Sequence, residues 1–326
     1  MDREKRVYED VFGLLPGPDN PTPMVRLNRM GVEGSTLFAK LEWMNPFGSV
    51  KDRAAWSLIR KLEEDGRLGR EAPDGSPRSL VEPTSGNTGL SLAAMASVRG
   101  HGSRMVVPNK VPTEKKALLK LAGADLDVVR DDLCPSPGMG DGSIGLAQTH
   151  AKAQPDKYSM PNQYENRANV EAHKHTTGPE LWNQTGGEIT HLFVSLGTCG
   201  TVTGCAEYFR ERGAEVKIVA VQPSAGHDVP GLRNVSELDV SALFDASLID
   251  EILEIEHELA YTRAVELARS EGLLAGPSSG LIYEGMRRVA ERDGVGCGVA
   301  IFCDNVFKYM SNMVKHVPEL GEGIEA

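Results

Sequence analysis

The chain has 326 residues, 40% of them hydrophobic and 25% charged, with a formal net charge of −11. That length holds two domains with filled cores, and the composition is that of a folded globular enzyme rather than a disordered chain. The acidic balance argues against a nucleic-acid partner, no apolar run approaches a membrane span, and the charged start MDREKRVYEDVFG cannot hold a signal-peptide core.

Five cysteines (Cys134, Cys199, Cys205, Cys297, Cys303) are odd in number and show no C-x-x-C spacing. They predict reduced thiols, a cytoplasmic home and no metal site. The eight histidines show no metal-ligand spacing either.

Residues 20–27, NPTPMVRL, are Pro-rich and lead into a strand at 36–42. Asn45-Pro46-Phe47-Gly48-Ser49 then makes a tight turn, because proline fixes φ and glycine permits strained positions. Lys51 follows where the apolar spacing of 52–59 predicts a helix running to about Glu64. A lysine at a helix start stands in an electropositive place that disfavours its ammonium and favours the amine nucleophile. On position alone it reads more simply as a solvated surface lysine.

After a loop through Pro73–Pro77, the strand Ser79–Pro83 runs into Thr84-Ser85-Gly86-Asn87-Thr88-Gly89 and a small-residue helix closing at Gly100. A strand at 104–107, a helix over 113–122, a strand at 126–129, a loop over 131–142 and a helix from near Ser143 continue the alternation. Beyond the irregular stretch 158–170 a helix covers 171–184. The strand 190–196 then runs into 197–204, GTCGTVTG, and a helix at 202–212. A strand at 216–221, a long loop 222–247, a helix at 260–271, a helix opened by Gly276-Pro277-Ser278-Ser279-Gly280 and a strand at 298–303 follow. Such alternation predicts a parallel sheet flanked by helices, and its restart in the second half predicts two α/β domains. The boundary falls near 155–165, with the first forty-odd residues belonging to either half.

Three of these turns share one design, an apolar strand followed by a short loop and a helix start. In 197–204, unpaired backbone N–H groups with the hydroxyls of Thr198 and Thr201 make a phosphate cradle. No Gly-Lys-Ser/Thr follows it, and Cys199 and Gly200 break the dinucleotide-binding spacing. The alternative is a tight turn that binds nothing. Thr84, Ser85, Asn87 and Thr88 stand at a strand C-terminus, where ligands of open α/β sheets bind, and their donors suit a carboxylate. The alternative there is a helix cap by Ser85 or Asn87. Ser278 or Ser279 reads first as a capping serine. A turn-presented lysine, a phosphate cradle and a carboxylate-type loop together point to pyridoxal phosphate, whose aldehyde needs an amine and whose amino-acid substrate needs a carboxylate site.

N-P-x-G-S-x-K-D-R at 45–53, T-S-G-N-T-G at 84–89, G-T-x-G-T at 197–201 and G-x-S-S-G at 276–280 stand in the order found in the cysteine synthase and cystathionine β-synthase family. The chain resembles that family from Asn20 to about Tyr309, and FDASLIDEI at 244–252 with 221–235 looks more like its second bacterial cysteine synthase isozyme group. The resemblance implies the tryptophan synthase β fold (fold type II), with two mainly parallel twisted sheets flanked by helices. It implies a smaller domain at 45–160, a larger one formed by 1–44 plus 161–326, and the cofactor in the cleft between them. It also implies a set of roles. Lys51 forms the Schiff base with pyridoxal 5'-phosphate and later moves the α-proton. Asn87 bonds the ring hydroxyl, Gly197, Thr198, Cys199, Gly200 and Thr201 hold the phosphate, and Ser278 faces the pyridine nitrogen. Thr84, Ser85, Thr88 and Gln163 receive the substrate carboxylate.

The implied reaction is β-replacement on O-acetylserine or O-phosphoserine by sulfide or another sulfur donor, through an aminoacrylate, to give L-cysteine. Alternatives are cystathionine, diaminopropionate or cyanoalanine formation, Ser/Thr deamination, or a catalytically silent scaffold. The family's habits add a homodimer and docking of a partner's C-terminal tail, while the regulatory module of many cystathionine β-synthases is expected to be missing after Tyr309. Arg233 is a candidate for an anionic leaving group or co-substrate, against a solvated surface arginine. Cys199 departs from the family's Gly or Thr, which should perturb one phosphate contact. Arg167 departs from a proline, which should alter the loop near the substrate. His173 and His175 are expected to be structural, and Cys303 a buried thiol.

Overall fold

The computed structural model describes residues 7–69, 71–72, 75–76, 78–130 and 142–323. Most of the expected loop 131–142, with Cys134, and parts of the 73–77 loop and of the N-terminal stretch lie outside these. The strands are β1 (Met24–Arg26), β2 (Thr36–Leu41), β3 (Ser79–Pro83), β4 (Gly102–Pro108), β5 (Asp125–Val129), β6 (Tyr158–Ser159), β7 (His191–Ser195), β8 (Lys217–Pro223), β9 (Glu251–Ile255) and β10 (Cys297–Phe302). The helices are α1 (Lys51–Glu64), α2 (Asn87–Val98), α3 (Thr113–Leu121), α4 (Ser143–Ala153), α5 (Ala168–His175), α6 (Thr177–Gln184), α7 (Gly200–Glu211), α8 (His257–Glu266), α9 (Pro277–Asp293) and α10 (Met310–His316).

Six strands form one sheet in the order β1-β2-β10-β7-β8-β9, and four form another in the order β5-β4-β3-β6. Among the pairings of these described strands only β1–β2 is antiparallel; the others run parallel. Parallel strands are covered on both faces, so they read as near-continuous apolar runs. In the larger sheet Phe193, Val219, Val221, Ala300 and Phe302 face a core built with α8 and α9, while Leu192, Val194, Ile218, Ala220, Val299 and Ile301 face one built with α6 and α7. In the smaller sheet Leu80, Met105 and Val107 pack against Ala55, Ile59 and Leu62 of α1 and Leu92, Ala93 and Met95 of α2. Val81 and Val106 pack on the other face with Ala147 of α4 and Tyr158. We propose that these sheets are the cores of two domains, 45–160 and 1–44 with 161–326.

The α/β alternation stands as expected, and the differences have local causes. The expected helix 171–184 is two helices that break at Thr176 (φ −124°). Pro179 cannot donate to the His175 carbonyl, but it is tolerated in the first turn of a new helix. The strand β9 lies in EILEI at the edge of its sheet, with Ile252 and Glu254 exposed on one face, so it lacks the continuous apolar run of the inner strands. The short β1 and β6 carry too few residues for a periodic pattern.

Candidate active site

The turns 84–89 and 197–204 leave strands at their C-terminal ends as expected, whereas 276–280 follows the helical segment Leu267–Glu271 rather than a strand; the two sheets turn their strand ends toward one cleft. Thr84–Thr88 follow β3, Gln163 follows β6, 197–201 follow β7, 230–233 follow β8, and Cys303 and Asp304 follow β10. The cleft is open to solvent and draws its lining from both sheets. Lys51, Thr84, Ser85, Asn87, Thr88, Gln163, Gly197, Thr198, Cys199, Thr201, Arg233 and Ser278 line it. Gly200 stands just behind the wall.

Lys51 is the first residue of α1. The turn before it closes with Gly48 N–H donating to Asn45 O at 2.9 Å, and Gly48 adopts φ 78°. Asp52 fastens that turn, its carboxylate accepting from Phe47 N at 2.7 Å and from Ser91 Oγ of α2 at 2.6 Å. Burial pushes the Asp52 carboxyl up to about 6, against these hydrogen bonds and the Lys308 charge, which lower it. Val50 N donates to Cys303 O at 2.9 Å, tying the start of α1 to the end of β10.

Within the first turn of α1, Arg53 enters a sealed charge network. It bonds Glu42 at 2.7 and 2.8 Å and Glu180 at 2.5 and 2.8 Å. Lys40 also reaches Glu180, at 2.7 Å, and all four side chains are buried. Burial would raise the Glu42 carboxyl, but the Arg53 guanidinium brings it down to about 2.

The 197–201 loop is shaped by close approach. A Cβ on Gly200 would come within 2.1 Å of Asn169 Oδ1, and one on Gly197 within 2.9 Å of Gly231 O. Asn169 Nδ2 donates to Thr198 Oγ1 at 3.0 Å and to Gln163 O at 2.8 Å, joining the 197–201 loop to the segment at Gln163. Thr201 Oγ1 meets His173 Nε2 at 3.2 Å, and His173 Nδ1 meets Thr177 Oγ1 at 2.9 Å. Burial, with the Arg53 and Lys51 charges, pushes His173 down to about 3, so its ring is neutral. Cys199 is the N-cap of α7 at φ 65°, where a side chain costs about 1 kcal/mol. Burial pushes its thiol up to about 12, so it stays neutral.

Across the cleft, Thr84 Oγ1 accepts the N–H groups of Gly86 and Gly89, both at 3.1 Å. The N-cap of α2 is Gly86, so neither Ser85 nor Asn87 is the cap. Thr88 Oγ1 donates to Gln163 Oε1 at 2.6 Å, and Gln163 Nε2 donates to Pro83 O at 3.0 Å. Asn87 Nδ2 donates to Asp304 Oδ2 at 2.6 Å, while its Oδ1 accepts from Lys308 Nζ at 3.1 Å. Ser278 does not cap α9, whose N-cap is Gly276 with Pro277 at the first position.

Arg233 is 5% exposed, so it is not a solvated surface arginine; its guanidinium lies 5.6 Å from the Tyr164 ring. Arg167 instead is exposed and pairs with Glu207 at 2.8 Å, away from the cleft lining. His175 pairs with Glu171 on the surface, and Cys303 lines the cleft floor beside Ser195. Sequence reasoning missed Asp304, Lys308, Tyr309 and Lys115. Tyr309 donates to Asp304, and Lys115 Nζ sits 3.8 Å from the Tyr309 ring centroid. None belongs to a glycine-rich turn, the local feature that marks the others. Among the described residues no cluster of metal-type ligands forms, and no helix is long and apolar enough to cross a membrane.

The family model described as "Pyridoxal-phosphate dependent enzyme" matches residues 16–304. The chain is 41% identical over 294 residues to "Cysteine synthase B" of Escherichia coli (strain K12), covering 90% of this chain and 93% of that one. It is 37% identical over 295 residues to "Cysteine synthase B" of Pseudomonas aeruginosa, covering 90% and 94%. Among solved structures, O-ureido-L-serine synthase superposes with a TM-score of 0.85 at 29% identity, covering 95% of this chain and 96% of that one. Cysteine synthase from Entamoeba histolytica superposes with a TM-score of 0.83 at 28% identity, covering 97% and 93%.

Proposed function

The chain belongs to the pyridoxal-phosphate dependent enzymes, and from that premise we propose that it is a cysteine synthase, replacing the β-substituent of an O-activated L-serine with a sulfur nucleophile. One observation carries the reading: a helix-start lysine, a phosphate-type cradle and a carboxylate-type loop line a single cleft.

The residues fit the cofactor. The cradle offers helix-start N–H groups and two hydroxyls around a glycine that admits no Cβ, and its one thiol is neutral. Lys51 supplies an amine, and Ser278 a neutral hydroxyl rather than a carboxylate. When bound, pyridoxal phosphate supplies the electron sink that makes the substrate's Cα–H acidic.

Lys51 Nζ anchors the cofactor and then carries the proton off Cα. Thr198, Thr201 and the backbone of Gly197, Cys199 and Gly200 hold the phosphate. Asn87, its amide plane set by Asp304 and Lys308, bonds the ring hydroxyl. Ser278 would face the ring nitrogen, offering a neutral hydroxyl there rather than a carboxylate. Thr84, Ser85, Thr88 and Gln163 take the substrate carboxylate; Gln163 Nε2 has a second N–H beyond the one given to Pro83. Arg233, buried in the cleft wall, suits an anionic leaving group or co-substrate.

Holoenzyme given sulfide with O-acetylserine, and separately with O-phosphoserine, is expected to form L-cysteine. No cysteine from either donor would reject the reading. Arg233→Ala is expected to lose turnover with O-phosphoserine selectively. Cytoplasmic location suits the free thiols of Cys199, Cys205, Cys297 and Cys303. Homodimer formation and tail docking are family expectations that light scattering and a tail-peptide titration check.

A further inference from the structure

Glu82, in β3, is fully buried, and the described ion pairs do not reach it. Its two oxygens instead accept two successive peptide N–H groups, Asn162 to Oε2 at 2.8 Å and Gln163 to Oε1 at 2.9 Å. Asn162 adopts φ 57°, a left-handed conformation of the kind that turns consecutive N–H groups toward one anion. The other end of the same residue is held too, since Asn169 Nδ2 donates to Gln163 O. Gln163 therefore has its backbone clamped between Glu82 and Asn169, and its side chain set by Thr88 and Pro83.

Charged groups on the surrounding elements have partners other than Glu82. Arg104 of β4 pairs with Asp127 of β5, His150 of α4 meets the same Asp127, and Glu165 accepts from the Asn162 side chain. Burial pushes the Glu82 carboxyl up to about 7, and the groups that lower it are the Gln163 and Asn162 N–H donors, with no cation contributing.

We infer that Glu82 is a positioning residue for the substrate-carboxylate subsite, its ionised carboxylate holding the 162–163 peptide so that Gln163 faces the cleft. The inference rests on the reading of Gln163 as a carboxylate ligand. A carboxylate accepts from both N–H groups at once; a protonated carboxyl or a glutamine amide turns one donor toward an N–H and loses a bond. Substrate affinity should therefore strengthen as pH rises through about 7.

The test uses holoenzyme as wild type, Glu82→Gln and Gln163→Ala. L-Alanine, an amino acid without a leaving group, is titrated from pH 6 to 9, KM and kcat for O-acetylserine are measured alongside, and amide exchange at 162–163 is followed without ligand. In Glu82→Gln, L-alanine binding is expected to weaken about tenfold at pH 8 and to lose its midpoint near 7. KM should rise far more than kcat falls, and exchange at 162–163 should accelerate. Unchanged exchange would overturn the clamp while leaving the Gln163 reading to its own variant. Faster exchange with unchanged L-alanine affinity would overturn the positioning role. Unchanged affinity in Gln163→Ala would overturn the carboxylate reading itself. Should Glu82→Gln fail to fold, wild-type exchange still decides: relative to a control amide it must slow as pH rises through 7, and a flat ratio overturns the inference.

Discussion

Asn87 and Asp304 meet across the cleft, the amide Nδ2 donating to the carboxylate at 2.6 Å from the start of one helix to the end of a strand in the other sheet. With Lys308 on the amide oxygen, the plane of Asn87 is set before any ligand arrives. A hydrogen bond to a charged group is worth about 1.5–3 kcal/mol, so Asp304→Ala should weaken cofactor affinity by about tenfold or more. Titrating apoenzyme with pyridoxal phosphate by protein fluorescence checks this.

Arg53 neutralises Glu42 and Glu180 where water cannot reach. Arg53→Met should cost about 3–5 kcal/mol, because the buried Glu42 loses its ion-pair partner and Glu180 keeps only Lys40. Arg53→Lys should recover only part of it, since an ammonium cannot bridge both acids with paired donors. Urea unfolding midpoints measure both.

His173 binds its proton in the unfolded chain at its ordinary value of 6.5, but in the fold only near 3. Below about pH 6 the unfolded state therefore holds the extra proton, and stability falls by about 1.4 kcal/mol per pH unit on this account. Asp52 and Glu82, both raised, act in the opposite sense between their ordinary and raised values, so the difference between wild type and His173→Asn is the quantity to read. That difference should be flat above pH 7 and should shrink as pH drops from 6 to 4, as followed by urea midpoints.

Gly200→Ala should displace Asn169, whose Oδ1 would lie 2.1 Å from the new methyl. Asn169 serves both the Thr198 hydroxyl and the Gln163 carbonyl, so both phosphate and amino-acid binding should weaken together. Parallel titrations with pyridoxal phosphate and L-alanine test that coupling.

Glycine-rich turns and apolar strands were legible in the sequence because their causes are local. Gly48 at φ 78° and the run LFVSL before Gly197 announce a turn and a buried strand without help from elsewhere. Asp304, Lys308, Glu82 and His173 were not legible as parts of the site, because their meaning lies in partners far along the chain. Asn87 and Asp304 are 217 residues apart, and Glu82 and Gln163 are 81. The caps misled for a related reason. Serine and asparagine beside a helix start look like caps, yet Thr84 satisfies the first donors of α2 from the preceding strand end.

Among several lysines around the cleft, Lys51 is the one proposed to anchor the cofactor. Holoenzyme reduced with borohydride, digested and analysed by mass spectrometry should carry the pyridoxyl group on the peptide containing Lys51, and Lys51→Ala should carry none. A pyridoxyl group on Lys115 or Lys308, which lie beside Tyr309 and Asn87 respectively, would contradict the account.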